Sequence, residues 1–261
     1  MAQIWHFTAR TSYHVFDKFV PPTSNQNLIT MKTAVSKFLY VLAFIIGASQ
    51  LISCAKENSN DVNQDRIYAE YELRYDANTD KTYASAIFRF GNATGTQLEL
   101  SDPSTITFNG DAIPFDPVFS YYRKEYSGNI TSGTFVFTNT EGTSFTNAVT
   151  NPRTLAFPAI DTIHNANSYT LTWVGDSVVS NEHVDMWMDG PQQNNAEFFT
   201  QYTLNTHNLV LAANQLQNLG VGATTCTLER IWETSAGSVT GAGGKVRAKY
   251  KAHDITIQVA P

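Results

Sequence analysis

The chain has 261 residues, with 17 Lys and Arg against 23 Asp and Glu, a formal net charge of −6. Four of the basic and one of the acidic residues fall in the first 54 positions, so the rest carries about −9, which argues against nucleic acid as a partner because phosphate must be neutralised by Lys and Arg. Charged residues make up only 15 %, below the ~25 % of an average soluble domain. The two cysteines, Cys54 and Cys226, provide neither a disulfide framework nor a cysteine zinc site.

Residues 1–30 show no helical or alternating periodicity and are interrupted by Pro21-Pro22. They precede a second Met and read as a mis-assigned start or a long leader, with no part in the fold. Residues 31–53 follow a different plan. A short basic region with Lys32 and Lys37 leads into an apolar run from Phe38 to Ser49, then small residues and Cys54. The run is about a dozen residues, short of the ~20 that span a bilayer as a helix, and the layout is that of an export signal.

The closing tetrad Leu51-Ile52-Ser53-Cys54 resembles the lipobox of bacterial lipoproteins. The resemblance implies that signal peptidase II cuts before Cys54, and that its sulfur carries a diacylglyceryl group anchoring the protein in the membrane. Two acyl chains suit a stable anchor, since a single chain holds only marginally. Ala55, where enteric inner-membrane lipoproteins carry Asp, points to the outer membrane. Lys56-Glu57 is loosely similar to the charged surface-export signals of Bacteroidota lipoproteins. Residues 54–65 are polar and aperiodic, and the expectation is a flexible tether.

From Arg66 the pattern is strand after strand. Ile67, Ala69, Tyr71, Leu73 and Tyr75 share one face of a predicted strand, and Ala84, Ala86, Phe88 and Phe90 line the next, with a turn at Asn78-Thr79-Asp80. Asn109-Gly110 is a two-residue hairpin signal. Asn151-Pro152-Arg153 reads as a joint, giving two predicted β-sandwich domains, 66–151 and 152–261. Only Ala213–Leu219 reads as a helix, closed by Gly220. Regular strand spacing predicts an all-β fold. The Tyr169-Thr170-Leu171-Thr172-Trp173 strand and the corner before Thr224–Trp232 resemble immunoglobulin-like and fibronectin-III-like modules, which implies tandem sandwiches and nothing about function. Cys226 alternates with Leu228 and is expected to be buried and inert.

The densest polar cluster is Glu182 to Asp189. On a strand, Val184, Met186 and Met188 face the core while His183, Asp185, Trp187 and Asp189 share the exposed face. Those four are the candidate ligand-binding residues, with Trp187 placed to stack on a sugar ring. No second His-bearing motif supplies metal ligands, so neither metal nor cofactor is expected. Lys245, Arg247, Lys249 and Lys251 form a basic row that either meets an anionic surface or guards an exposed edge strand. The loop Gly241-Ala242-Gly243-Gly244 before it reads as a flexible tip. No catalytic triad is legible, and no two carboxylates can be paired for hydrolysis from sequence.

The expectation is therefore a non-catalytic cell-envelope lipoprotein at the outer membrane, periplasmic or surface-exposed. It would be a binding or structural accessory with a polysaccharide or an envelope protein as partner. The alternatives are a subunit of a surface adhesin or pilus-like assembly, since fimbrial subunits of Bacteroidota are also lipoproteins with two β-sandwich domains, and a carboxylate-based hydrolase.

Overall fold

The computed structural model of the chain describes residues 57–192 and 194–261. The expected leader at 1–30, the expected export signal at 31–53 and Cys54 lie outside the described residues. Twenty strands follow in chain order. The first ten are β1 (Glu57–Asn58), β2 (Ile67–Asp76), β3 (Lys81–Phe90), β4 (Gln97–Glu99), β5 (Thr105–Phe108), β6 (Asp111–Ala112), β7 (Phe115–Asp116), β8 (Tyr121–Ser127), β9 (Ser132–Thr138) and β10 (Ser144–Thr150). The others are β11 (Leu155–Ala156), β12 (Thr162–His164), β13 (Tyr169–Thr172), β14 (Val174–Gly175), β15 (Glu182–Asp189), β16 (Ala196–Gln201), β17 (Asn208–Leu211), β18 (Gly222–Ser235), β19 (Gly244–Lys251) and β20 (Ile255–Ala260). Among the described residues one α-helix, α1 (Ala213–Leu219), ends at Gly220, whose φ of 79° is a conformation that glycine tolerates.

The fold is all-β and sandwich-type. A 12-stranded sheet has the order β1-β4-β3-β2-β19-β18-β15-β16, with β8, β7, β20 and β12 attached at its margins. One face of that sheet is apolar and is covered by two smaller assemblies. The four-stranded sheet β10-β9-β5-β6 brings Ile106, Phe108, Phe135, Phe137 and Val149 onto Tyr71, Leu73, Phe88 and Ala248. The pairs β13–β17 and β11–β14, together with α1, bring Leu171, Leu209, Leu211 and Leu216 onto Val184, Met186, Leu228 and Ile257.

Two cores thus lie on one sheet, and β18 and β19 serve both. On β18, Cys226 and Leu228 enter the second core while Trp232 packs on the first; on β19, Val246 and Ala248 enter the first while Tyr250 packs on the second. The joint at 151–153 falls between β10 and β11. However, the strand that completes the first sheet beside β2 is β19, from the C-terminal segment, paired in parallel from Gly244↔Ala69 to Lys251↔Asp76. Parallel pairing between strands so distant in sequence leaves no hairpin signature to read.

Local chemistry explains the elements that sequence anticipated. Asn109 (φ 50°) and Gly110 (φ 86°) form the two-residue turn between β5 and β6, where both central residues need positive φ. The β2 and β3 faces alternate as expected, with Ile67, Tyr71, Leu73, Ala84, Ala86 and Phe88 all buried. Cys226 is free and fully buried.

Two expectations are corrected. The segment expected to be a tether through Asp65 is part of the fold from Glu57: β1 pairs in parallel with β4, and Ser59 is fully buried. Buried Gln64 donates from Nε2 to the Ser59 and Val62 carbonyls and accepts the Thr140 amide. A polar segment without periodicity can still be ordered when side-chain amides satisfy its backbone. The glycine loop is not a free tip either. The Gly241 amide donates to Asp65 Oδ1 at 2.7 Å, Ala242 N donates to the Asp65 carbonyl, and a Cβ at Gly244 would stand 2.7 Å from the Ala69 carbonyl.

Candidate functional site

The second face of the long sheet is ionic and open to solvent. β15 lies between β16 and β18, and its alternation places Val184, Met186 and Met188 in the core and His183, Asp185, Trp187 and Asp189 on the outer face. Cross-strand neighbours complete the surroundings. Trp187 lies between Phe198 and Thr227, and Asp185 between Thr200 and Glu229. The Trp187 and Phe198 rings sit 5.0 Å apart at 46°, an aromatic pair in which Phe198 is 45 % exposed. His183 stacks on Tyr202 at 4.6 Å, and its Nε2 is 3.5 Å from Asp185 Oδ2.

The four residues do not line one depression. Trp187 and Asp189 line an open depression of about 390 Å³ with Arg74, Thr227, Glu229, Lys249 and Lys251. His183 lines a second of about 390 Å³ with Glu182, Tyr202, Leu204 and Glu233. Asp185 lines neither: it is buried, and its Oδ1 has no hydrogen-bond partner among the described residues. Among those residues no three His, Cys, Asp or Glu side chains gather around a point where they could hold a metal ion.

The basic row is on this face, in a different setting from either expectation. β19 is an interior strand, and its cations meet acids from both neighbours. Arg247 contacts Glu70 (3.1 Å), Glu72 (3.4 Å) and Glu233 (2.7 Å), Lys245 contacts Glu233 (2.7 Å), and Lys249 contacts Glu72 (3.2 Å). Lys251 contacts Asp254 at 2.9 Å. The row is a neutralised ionic lattice and neither an anion-binding patch nor an edge guard. Its partners on β2 and β18 are set by strand order, which alternation within one strand does not report.

No family model matches this chain, and no curated protein sequence matches it. A solved structure from work on host cell surface retention of a 1.5-MDa bacterial ice-binding adhesin aligns at 13 % identity over 70 % of this chain, with a TM-score of 0.22. The aligned part spans 63 % of that chain. At that TM-score nothing about this protein follows from the likeness.

Two carboxylates of the lattice titrate in opposite senses. Burial pushes the Glu229 carboxyl up, with Arg74, 3.7 Å away, pulling the other way. Burial would raise Glu233 too, but hydrogen bonds from Lys245 and Arg247 outweigh it and hold Glu233 below the usual carboxylate range. A raised folded-state value means that the folded protein binds the proton more tightly. Ionised Glu229 therefore costs stability at neutral pH, a cost relieved as pH falls through its raised value. Glu233 contributes stability above the ordinary carboxylate range and loses it as pH falls through its lowered value. Glu229→Gln should raise the stability from urea unfolding at pH 7 and Glu233→Gln should lower it, each by about 1 kcal/mol or less, because Glu229 gives up its attraction to Arg74 with its burial cost and Glu233 is partly solvated. Both differences should shrink towards pH 4 in urea titrations of the two variants.

Sequence reasoning placed Trp187 on the correct face and missed three of its neighbours, Arg74, Glu229 and Phe198, and missed Tyr202 beside His183. Glu229 had a usable signal, because it alternates with Thr227 opposite the buried Cys226 and Leu228.

Proposed function

We propose that the protein is a non-catalytic, lipid-anchored component of the cell envelope whose outer sheet face captures a glycan. The observation that carries this reading is the indole of Trp187, half-buried against Phe198 on an otherwise ionic face, beside an open depression of charged and hydroxyl side chains. A sugar ring offers an apolar C–H face to the indole and hydroxyls to Asp189, Thr227 and Lys249, so one flat aromatic surrounded by polar groups suits it. The lipobox ending at Cys54 supports attachment to the outer membrane.

The test is binding of a chain starting at Ala55 to a panel of polysaccharides and peptidoglycan. Trp187→Ala should weaken binding by about tenfold or more, the range of an aromatic anchor at an interface. His183→Ala, in the other depression, should leave it within about twofold. Binding unchanged by Trp187→Ala would remove this site, and no binding across the panel would remove the glycan reading.

A second reading is favoured by one feature. β16 ends the sheet order, with Phe198, Tyr202 and Leu204 exposed on it or just beyond it. An open edge with apolar side chains is suited to strand addition in a surface assembly. That reading requires self-association of the chain, and a strictly monomeric protein in sedimentation would count against it.

A further inference from the structure

The tip of the β7–β8 hairpin exposes two adjacent apolar side chains, Val118 (83 %) and Phe119 (55 %). The tip is built to hold them out. Asp116 Oδ1 accepts the amides of both Val118 (2.9 Å) and Phe119 (3.3 Å), and Ser120 takes a positive φ of 57°. Behind them the Arg123 guanidinium lies 4.2 Å over the Tyr83 ring and 5.7 Å over Phe119, and Tyr121 is 5.8 Å from Phe119. Apolar tips backed by Arg and Tyr match the membrane interface, where amphipathic side chains keep their polar ends at headgroup level.

Position in the fold says what would meet this tip. β4 and β8 follow one another in the same direction along one edge of β3, both antiparallel to it, with Phe88↔Leu98 and Ala86↔Tyr122 in register, and the Leu100 amide donates to Tyr122 Oη at 2.7 Å. β1 flanks β4, and the Ser101 amide donates to Ser59 Oγ at 2.8 Å. Glu57 therefore lies on the same sheet edge as the hairpin tip. Only two residues, Ala55 and Lys56, separate Cys54 from Glu57, three chain steps with a reach of at most about 10 Å.

We propose that Val118 and Phe119 seat in the bilayer surface when the protein is anchored at Cys54, so that this edge faces the lipid. The inference rests on the anchor reading above. A dozen-residue tether would leave orientation free, whereas a two-residue one brings this edge to the headgroups. The net negative charge of the chain leaves apolar insertion, rather than attraction to anionic lipid, as the contact. β16 stands at the opposite end of the strand order from β1, so the Trp187–Phe198 surface is carried away from the membrane.

The experiment uses the lipidated mature chain in phosphatidylethanolamine–phosphatidylglycerol vesicles, with an environment-sensitive fluorophore on Val118→Cys or, as control, on Val210→Cys beside β16. Cys226 is fully buried and stays unlabelled. Nitroxide lipids should quench the probe at 118 by more than about half, as for a group some 5–10 Å into the headgroup–acyl boundary, and leave the probe at 210 bright. Adding Phe119→Asp should abolish the quenching without releasing the protein. An unquenched probe at 118 on vesicle-bound protein overturns the inference and leaves the anchor intact. Full-length Cys54→Ser that floats with vesicles as well as the unaltered chain, with no acyl group by mass, overturns the anchor and this inference together.

Discussion

Replacing Glu182 with Ala is expected to destabilise the protein by about 3–5 kcal/mol, because it strands a charge in the core. Arg230 is fully buried, and its Nη1 lies 2.9 Å from Glu182 Oε2, itself on a side chain only 5 % exposed. Arg230 also donates to the carbonyls of Asp176 and Ser177, and its guanidinium lies 6.0 Å from the Trp173 ring. Burial lowers the pKa of Arg230, but a guanidinium starts so high that it stays charged at any ordinary pH. Glu182 is shared further: it accepts from Arg153 Nη2 and from the Val179 amide, both at 3.3 Å, so its loss opens the 176–182 turn as well. Urea unfolding would measure the effect as a shifted midpoint at constant slope. Glu182→Gln keeps an acceptor but removes the charge and should fall between the two. The double variant Glu182→Leu with Arg230→Met should recover most of the loss, since replacing both partners removes the desolvation cost together with the attraction. A double variant as unstable as Glu182→Ala would assign the loss to the hydrogen bonds to Asp176, Ser177 and Val179 rather than to the stranded charge.

That pair also shows what a strand sequence reveals. The alternation that puts Cys226 and Leu228 inside carries Arg230 inside with them, and the alternation of Val184, Met186 and Met188 carries Glu182 inside. Period-2 pattern therefore reports which face a residue takes, and it held for β2, β3, β15, β18 and β19. It does not report which strand lies alongside. The acids that neutralise Arg247 come from β2 and β18, and β2 is some 175 positions away in sequence. The depression beside Trp187 likewise needs Arg74 from β2 and Lys249 from β19. Turns and caps were legible because Asn109-Gly110 and Gly220 act through their own backbone angles. The order of 57–65 was not, because it depends on Gln64 reaching the Thr140 amide across the fold.

Phe135→Ala should cost about 3–5 kcal/mol, and the loss should be felt in the other core. Phe135 is fully buried, stacked on Tyr71 at 5.2 Å and packed on Phe108 at 4.8 Å, so truncation leaves a cavity that rigid strands on both sides cannot close. The reporter is Cys226 in the second core. Burial, with Asp189 and Asp254 adding to it, pushes its thiol pKa up to about 12, so in the folded protein it is both enclosed and protonated. With Cys54→Ser as background, Cys226 is the one thiol in the chain, and its alkylation rate counts openings of the second core. If β18 and β19 bind the two cores into one cooperative unit, Phe135→Ala should speed Cys226 alkylation by roughly a hundredfold or more, since each 1.4 kcal/mol is about a factor of ten. Leu228→Ala, inside the second core, should act by a similar factor. An alkylation rate that responds to Leu228→Ala and ignores Phe135→Ala would mean that the cores open independently. The long β18 would then have to break within its own length, between Leu228 and Trp232, where β15 and β19 both remain hydrogen-bonded to it. That cost in ladder hydrogen bonds is the physical reason to expect a single transition.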